Sequence, residues 1–142
     1  MDRSDRQTVE QFLEVFHGDE APDATALSEF MTSDAVYWSL VPSAPRLQGV
    51  AAIAEGIAKQ FNTYRDCECE IHAIADGDGV VFTERTDHVV LNSDDRRVSA
   101  RISAVFDIAA DGKIASWREY WDSDDVIAQM GVDRAALEND LG

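Results

Sequence analysis

Glu119 lies between two tryptophans in the run Trp117-Arg118-Glu119-Tyr120-Trp121-Asp122. In a β-strand, where alternate residues share a face, its carboxylate points the same way as both indoles. A second anomaly sits upstream in Val81-Phe82-Thr83-Glu84-Arg85-Thr86-Asp87-His88-Val89, where Arg85 and Asp87 interrupt a face otherwise made of Val81, Val89 and Leu91. Two carboxylates joined through one guanidinium in an apolar interior titrate as a coupled unit, with one acid ionised and the other protonated near neutrality. Such a pair places a base and an acid in one pocket. Spacing alone fits a structural ion cluster equally well, because a buried acid–arginine–acid triad can hold a fold without doing chemistry.

Strand alternation brings the three residues together. The stretch Arg97–Ile108 has period two, with Val98, Ala100, Ile102, Ala104, Phe106 and Ile108 on one face and Arg97, Ser99, Arg101, Ser103 and Asp107 opposite. If the turn Asn92-Ser93-Asp94-Asp95 pairs Leu91 with Arg96, odd positions of the preceding strand share that apolar face, and Arg85 and Asp87 turn inward. A two-residue turn at Ala110-Asp111 or Asp111-Gly112 applies the same parity to the last strand and turns Trp117, Glu119 and Trp121 inward. Arg85, Ile102 or Ala104, and Glu119 then form one row. A bulged turn over Ala110-Asp111-Gly112 would reverse the parity and expose Glu119 and both tryptophans. Strands two apart are separated by about 10 Å, which a long arginine can bridge over small neighbours such as Ala100 or Ala104.

The elements holding these strands begin with helices. Val9, Phe12, Leu13 and Phe16 recur at helical spacing with Gly18 as a stop, predicting a helix over residues 5–17. Leu27, Phe30 and Met31 suggest a second, short helix. Residues 35–40 read as a strand, 42–49 as a loop with Pro42 and Pro45, and 50–64 as a helix carrying Ile53, Ile57 and Phe61 inward. From residue 66 onward, strands are separated by Asp76-Gly77-Asp78-Gly79, residues 92–95 and Asp111-Gly112, and short helical turns over 124–141 close the chain. Helices followed by a meander make an α+β plan.

Tyr37 and Ser39 share one face of the first strand and point a phenol and a hydroxyl toward the same cavity. Trp38 and Tyr120 fall on the far side, as packing residues or a dimer surface. His17, His72 and His88 show no ligand or triad spacing and are read as solvent or interface residues, with His88 outward.

With 142 residues, 45% of them hydrophobic, the chain reads as one domain over residues 1–142 with a genuine core. Twelve basic against 28 acidic residues give a net charge of -16, which repels phosphate backbones and anionic lipid, so neither nucleic acid nor membrane is an expected partner. Cys67 and Cys69, on one face with diverging geometry, are not expected to bond each other and point to a reducing, cytoplasmic setting. The charged start Met1-Asp2-Arg3-Ser4-Asp5-Arg6 lacks a following apolar region, and no stretch is apolar enough to span a bilayer.

The segments Thr83-Glu84-Arg85-Thr86-Asp87 and Asp111-Gly112-Lys113-Ile114, followed by residues 117–122, resemble limonene-1,2-epoxide hydrolase and its relatives, and so does the element order. The resemblance implies a cystatin-like or nuclear transport factor 2-like cone, a curved mixed and mostly antiparallel sheet with N-terminal helices on its concave face. It implies that Asp87 protonates an epoxide oxygen, Arg85 bridges, Glu119 deprotonates water, and Tyr37 with Ser39 holds that water. No cofactor and no metal is implied, and a homodimer is. The family has Asp where this chain has Glu119, and Asn where it has Ser39. Glu reaches one methylene further, and a shift on the order of 1 Å at a reacting group can cost about 100-fold in rate.

Candidates for the pocket lining are Val89, Ala100, Ile102, Ala104, Trp117 and Trp121 on the strands, with Phe61 and Tyr64 from the long helix. They suit a small or medium apolar epoxide, with water as co-substrate. The alternatives are an epoxide-opening cyclase, an enzyme similar to ketosteroid isomerase or the polyketide cyclases, and a non-catalytic small-molecule-binding domain of the same fold.

Overall fold

A computed structural model of the chain describes residues 3–141. Helix α1 covers Asp5–Glu14, and Ser4 and Gln7 form a reciprocal capping box at its start. It ends before the expected His17 because Gly18 leaves helical geometry, with φ of 103°, and bridges Cys67 through two 2.9 Å backbone hydrogen bonds. Helix α2 is Ala24–Ser28, capped by Asp23. Met31, expected in that helix, instead opens strand β1, Met31–Trp38, because it lies alongside Ile114, whose N–H donates to Phe30 O at 2.7 Å. Strand β1 therefore starts earlier than the expected 35. The proline loop contains a short strand β2, Arg46–Gln48, paired antiparallel with β1.

Helix α3, Val50–Phe61, buries Val50, Ile53, Ile57 and Phe61 as one stripe. Tyr64 is not its last residue but the first of β3, Tyr64–Gly77, which starts before the expected residue 66. Strands β4, Val80–Leu91, β5, Arg97–Ile108, and β6, Ile114–Trp121, complete a six-stranded sheet in the order β2-β1-β6-β5-β4-β3. Only β1 and β6 run parallel, so the α+β plan takes the expected mixed form. The chain ends in α4, Ser123–Met130, and α5, Arg134–Leu141. Among the described residues no helix is long and apolar enough to cross a membrane.

Helices α1 and α3 cover the concave face. Phe12 of α1, Phe16 just beyond its end, Tyr37 of β1 and Phe106 of β5 surround the Trp117 indole, with ring centroids 4.1 to 6.0 Å away. Trp117 is 3% exposed, so burying it fixes the face on which Glu119 lies.

The register of β4 on β5 follows the turn at residues 92–95. Leu91 N–H donates to Arg96 O at 2.8 Å, Arg85 lies opposite Ile102, and Asp87 lies opposite Ala100. The β5–β6 turn differs from expectation. Ala109 N–H donates to Lys113 O and Gly112 N–H to Ala109 O, so the loop is the three-residue Ala110-Asp111-Gly112 with Gly112 at φ of 84°. By itself that loop would turn Glu119 outward. The ladder then shifts between Ile108↔Ile114 and Asp107↔Ser116, leaving Ala115 as an extra residue on β6, and this bulge restores the parity. Ala104 consequently faces Glu119, and Glu119 points inward.

Candidate active site

Arg85 stands at the centre of the concave face. It is 2% exposed and the largest of the fully buried side chains. Its Nε donates to Asp87 Oδ1 at 2.8 Å and its Nη2 to Asp87 Oδ2 at 2.9 Å, a bidentate grip between residues two apart on one strand face. The same Nη2 donates to Glu119 Oε2, across the intervening β5. Oε2 also accepts the Trp117 Nε1–H at 3.1 Å. The other oxygen, Oε1, accepts only the Tyr37 hydroxyl, at 3.4 Å. Arg85 Nη1 and the Ser39 and Thr83 hydroxyls are buried without a hydrogen-bond partner among the described residues.

Burial is the main force on Glu119. It pushes the carboxyl above its usual range, Arg85 pulls it back, and the charge of Asp87 raises it further. Burial also opposes the charge on Arg85, but Asp87 and Glu119 outweigh it and hold the guanidinium firmly protonated. The Tyr37 phenol is raised well above its ordinary value by burial and then by Glu119, so it stays a proton donor.

Two chambers meet at this cluster. The outer, of about 130 Å³, is walled by Val89, Leu91, Val98, Ala100, Ile102 and Trp121 from the sheet. Val126, Met130, Leu137 and Leu141 from α4 and α5 close its far end. The inner, of about 40 Å³, is bordered by Arg85, Phe61 and Trp117, with Leu13 of α1 and Phe16 just after it. Asp87, Glu119, Tyr37, Tyr64, Gln60 and Cys67 border both.

Of the residues singled out in the sequence, Arg85, Asp87, Glu119 and Tyr37 meet in one hydrogen-bonded cluster. Ser39 borders the outer chamber and is tied to β6 through its carbonyl, which accepts the Trp121 Nε1–H at 2.8 Å. Tyr64, Val89, Ala100, Ile102 and Trp121 line the outer chamber, whereas Phe61 and Trp117 line only the inner. Ala104 borders neither, because it lies in the row between Thr83 and Glu119 and is packed into the core. Cys67 and Cys69 lie on one face of β3, both bordering the inner chamber, and both are free thiols.

The histidines sit away from the cluster. His17 Nε2 accepts the Cys69 N–H at 3.1 Å, His72 bonds Thr86, and His88 bridges Ser99 and Glu70 on the outer face. Sequence reasoning missed Gln60, although it directly precedes the buried Phe61 on α3. It also missed how α4 is fixed. Strand β6 ends opposite Ile102, and Gln129 of α4 takes over beyond it, accepting from Ser99 N and donating to Ser99 O.

Many solved structures resemble this fold, and three of them illustrate the range. One is an epoxide hydrolase from M. tuberculosis, described as like limonene epoxide hydrolase, with 26% identity over 94% of this chain and 93% of that one and a TM-score of 0.72. A putative SnoaL-like polyketide cyclase from Jannaschia sp. CCS1 has 16% identity over 94% and 99% of the two chains and a TM-score of 0.79. An epoxide hydrolase/cyclase-like enzyme of pyran ring formation in the polyether salinomycin has 21% identity over 85% and 92%, with a TM-score of 0.71. The model of the SnoaL-like domain matches residues 9–117, a span that holds Tyr37, Arg85 and Asp87 and stops just short of Glu119. By that match, over most of its length, the chain belongs to the SnoaL-like domain family.

Proposed function

We propose that this chain is an epoxide hydrolase that adds water to a small or medium apolar epoxide in one concerted step, giving a vicinal diol. The observation that carries this reading is the unbroken carboxylate–guanidinium–carboxylate chain with both acids on the wall of an apolar chamber. Glu119 Oε1, the oxygen held by neither Arg85 nor Trp117, takes a proton from water. The oxygen of that water forms a bond to one epoxide carbon as the carbon–oxygen bond breaks. Asp87, 21% exposed and open to the chamber, donates a proton to the leaving oxygen. Arg85 then couples the two acids, so that the proton gained by one can be matched by the proton lost from the other. The M. tuberculosis relative supports the hydrolase reading.

A second reading exchanges the two acids. Burial favours a protonated Glu119, which would make it the proton donor and leave Asp87 to take the proton from water. Epoxides that open readily without acid assistance separate the assignments, because they restore turnover only in the variant that lacks the general acid. The same acid–base pair also serves ring closure when a substrate hydroxyl takes the place of water, and a cyclic ether product identifies that case. The outer face exposes Phe82 and Tyr120, which support a homodimer assembled through the sheet.

The test is turnover of a panel of cyclic and terminal epoxides in ¹⁸O-water, followed by chiral chromatography and mass spectrometry. One labelled oxygen in the diol is expected even in a single turnover, since no ester to the protein intervenes. Glu119→Gln and Asp87→Asn should each slow turnover by about 10²- to 10⁴-fold, the usual weight of one general acid or base. Full activity in Glu119→Gln would remove Glu119 from the proposed role.

A further inference from the structure

The two chambers that meet at the acids differ in what they can hold. The inner, of about 40 Å³, has room for a small number of waters but not for an organic epoxide, which the outer, of about 130 Å³, must take. They differ in chemistry as well. Beyond the residues the two share, the outer chamber is walled by apolar side chains, with Ser39 and Thr63 as the polar exceptions. A substrate that fills it leaves water little to bond there.

Arg85 borders the inner chamber and not the outer. Its guanidinium is planar, so the directions of its five N–H groups are set together. Nε and Nη2 are engaged by Asp87 and Glu119. Nη1 is left, buried and with no partner among the described residues, on a side chain that is 2% exposed. An N–H of a cation without an acceptor is costly in such surroundings, and a buried water is the usual remedy. Acceptors for the hydrogens of that water stand on the shared rim, in the carboxylates of Asp87 and Glu119.

We infer that the inner chamber is a water site anchored on Arg85 Nη1, which feeds the nucleophile to the acids from the side away from the substrate and so selects hydrolysis over ring closure. This rests on the hydrolase reading but not on which acid is the base, since both border both chambers. In ring closure the substrate's own hydroxyl oxygen bonds to the epoxide carbon as the carbon–oxygen bond breaks. One acid takes the hydroxyl proton, the other gives a proton to the leaving oxygen, and no water is consumed. Losing the inner water therefore slows diol formation and spares the cyclic ether.

Cys69 is the place to make that change. It borders the inner chamber and not the outer, lies opposite Asp87 on the neighbouring strand, and bonds His17 through its backbone N–H rather than its thiol. Cys69→Leu fills the chamber with a larger apolar side chain, and Cys69→Ala leaves it open. Cys69→Met, unbranched and adaptable, fills it in a second way should the leucine variant fail to fold.

The experiment counts water and products together. Oxygen-17 and deuteron magnetic relaxation dispersion counts long-lived internal waters without any substrate. The filled variants should hold at least one fewer than the unmodified chain, and Cys69→Ala no fewer. The substrate is an epoxide carrying a hydroxyl placed for five-membered ring closure. On it the filled variants should form diol about 10-fold more slowly, with KM within about 2-fold and the ether-to-diol ratio raised about 10-fold, the worth of one hydrogen bond to a charged group. An unchanged water count in the filled variants overturns the inference. So does an unchanged product ratio when the count has fallen, or an equal fall in both products. If the unmodified chain opens no epoxide, the hydrolase reading fails, and the water count still decides the site.

Discussion

The sheet formed by β4, β5 and β6 carries charges on both faces, those of β5 lying all on the convex side, and the two sets differ in what surrounds them. On the concave face Arg85, Asp87 and Glu119 share one guanidinium, with exposures of 2%, 21% and 6%. On the convex face Arg118 pairs with Asp107 at 2.5 Å and Arg101 with Glu84 at 3.2 Å, with exposures between 27% and 63%. Arg118 and Glu119 are consecutive residues, yet one reaches solvent and the other is enclosed by aromatic rings. Solvent screens the outer pairs, so they add little stability. The inner charges cannot be screened, and their cost is tolerable only while all three are present.

The most severe way to break that contrast is Arg85→Ala. It strands two carboxylates in an apolar cavity, and removing one partner of a buried pair typically destabilises by about 3–5 kcal/mol. We expect a loss of that size in urea denaturation at pH 7 and no detectable epoxide turnover. Lowering the pH should recover part of the stability, because a protonated acid no longer needs the guanidinium. Equal losses from Arg85→Ala and Arg118→Ala would abolish the distinction between the faces.

The contrast between faces was legible because alternation is a property of the sequence itself. The clean period of two in β5 fixed its buried side, and the turn at residues 92–95 carried the parity to Arg85 and Asp87 through the pair Leu91 and Arg96. On the other side of β5 the inward placement of Glu119 was reached from a different turn than the one that forms. Two irregularities cancel, the three-residue loop at Ala110-Asp111-Gly112 and the extra Ala115, and neither Ala115 nor its neighbours differ in type from ordinary strand residues. The burial of Trp117 and Trp121 is the constraint that a residue pattern does express, and it decided the outcome.

What stayed hidden depends on contacts far apart in the chain. Helix α1 stops early because Gly18 meets Cys67, and Met31 extends because it lies beside Ile114. Gln60 reads as an ordinary polar residue on an amphipathic helix. Only the approach of α3 to Tyr64 and to the two chambers turns its amide into part of the site.

A milder probe is pH. Burial holds Glu119 above its usual range in the folded chain, so between the unfolded value and that raised value the folded state binds the proton more tightly. The stability contributed by Glu119 is therefore full below the unfolded value and is lost as pH rises through the folded one. Activity runs the other way: the base is silenced as pH falls through the same raised value. Denaturation at a series of pH values should show a steeper dependence in the unmodified chain than in Glu119→Gln across that window, coinciding with the acid limb of kcat/KM. Coincident stability curves for the two proteins would mean that Glu119 titrates alike folded and unfolded.

The smallest effect belongs to the convex face. Arg118 is held protonated by its hydrogen bond to Asp107, and it also donates to Ser116 Oγ at 3.0 Å. A double-mutant cycle with Arg118→Ala and Asp107→Ala should give a coupling of about 0.2–1 kcal/mol, decreasing with added salt as screened pairs do. Turnover and its pH limbs should stay unchanged, since the side chains of Arg118 and Glu119 leave β6 in opposite directions. A shift in the Glu119 titration in Arg118→Ala would show that charge on the convex face is felt through the sheet, and the two faces would then have to be treated as one electrostatic unit.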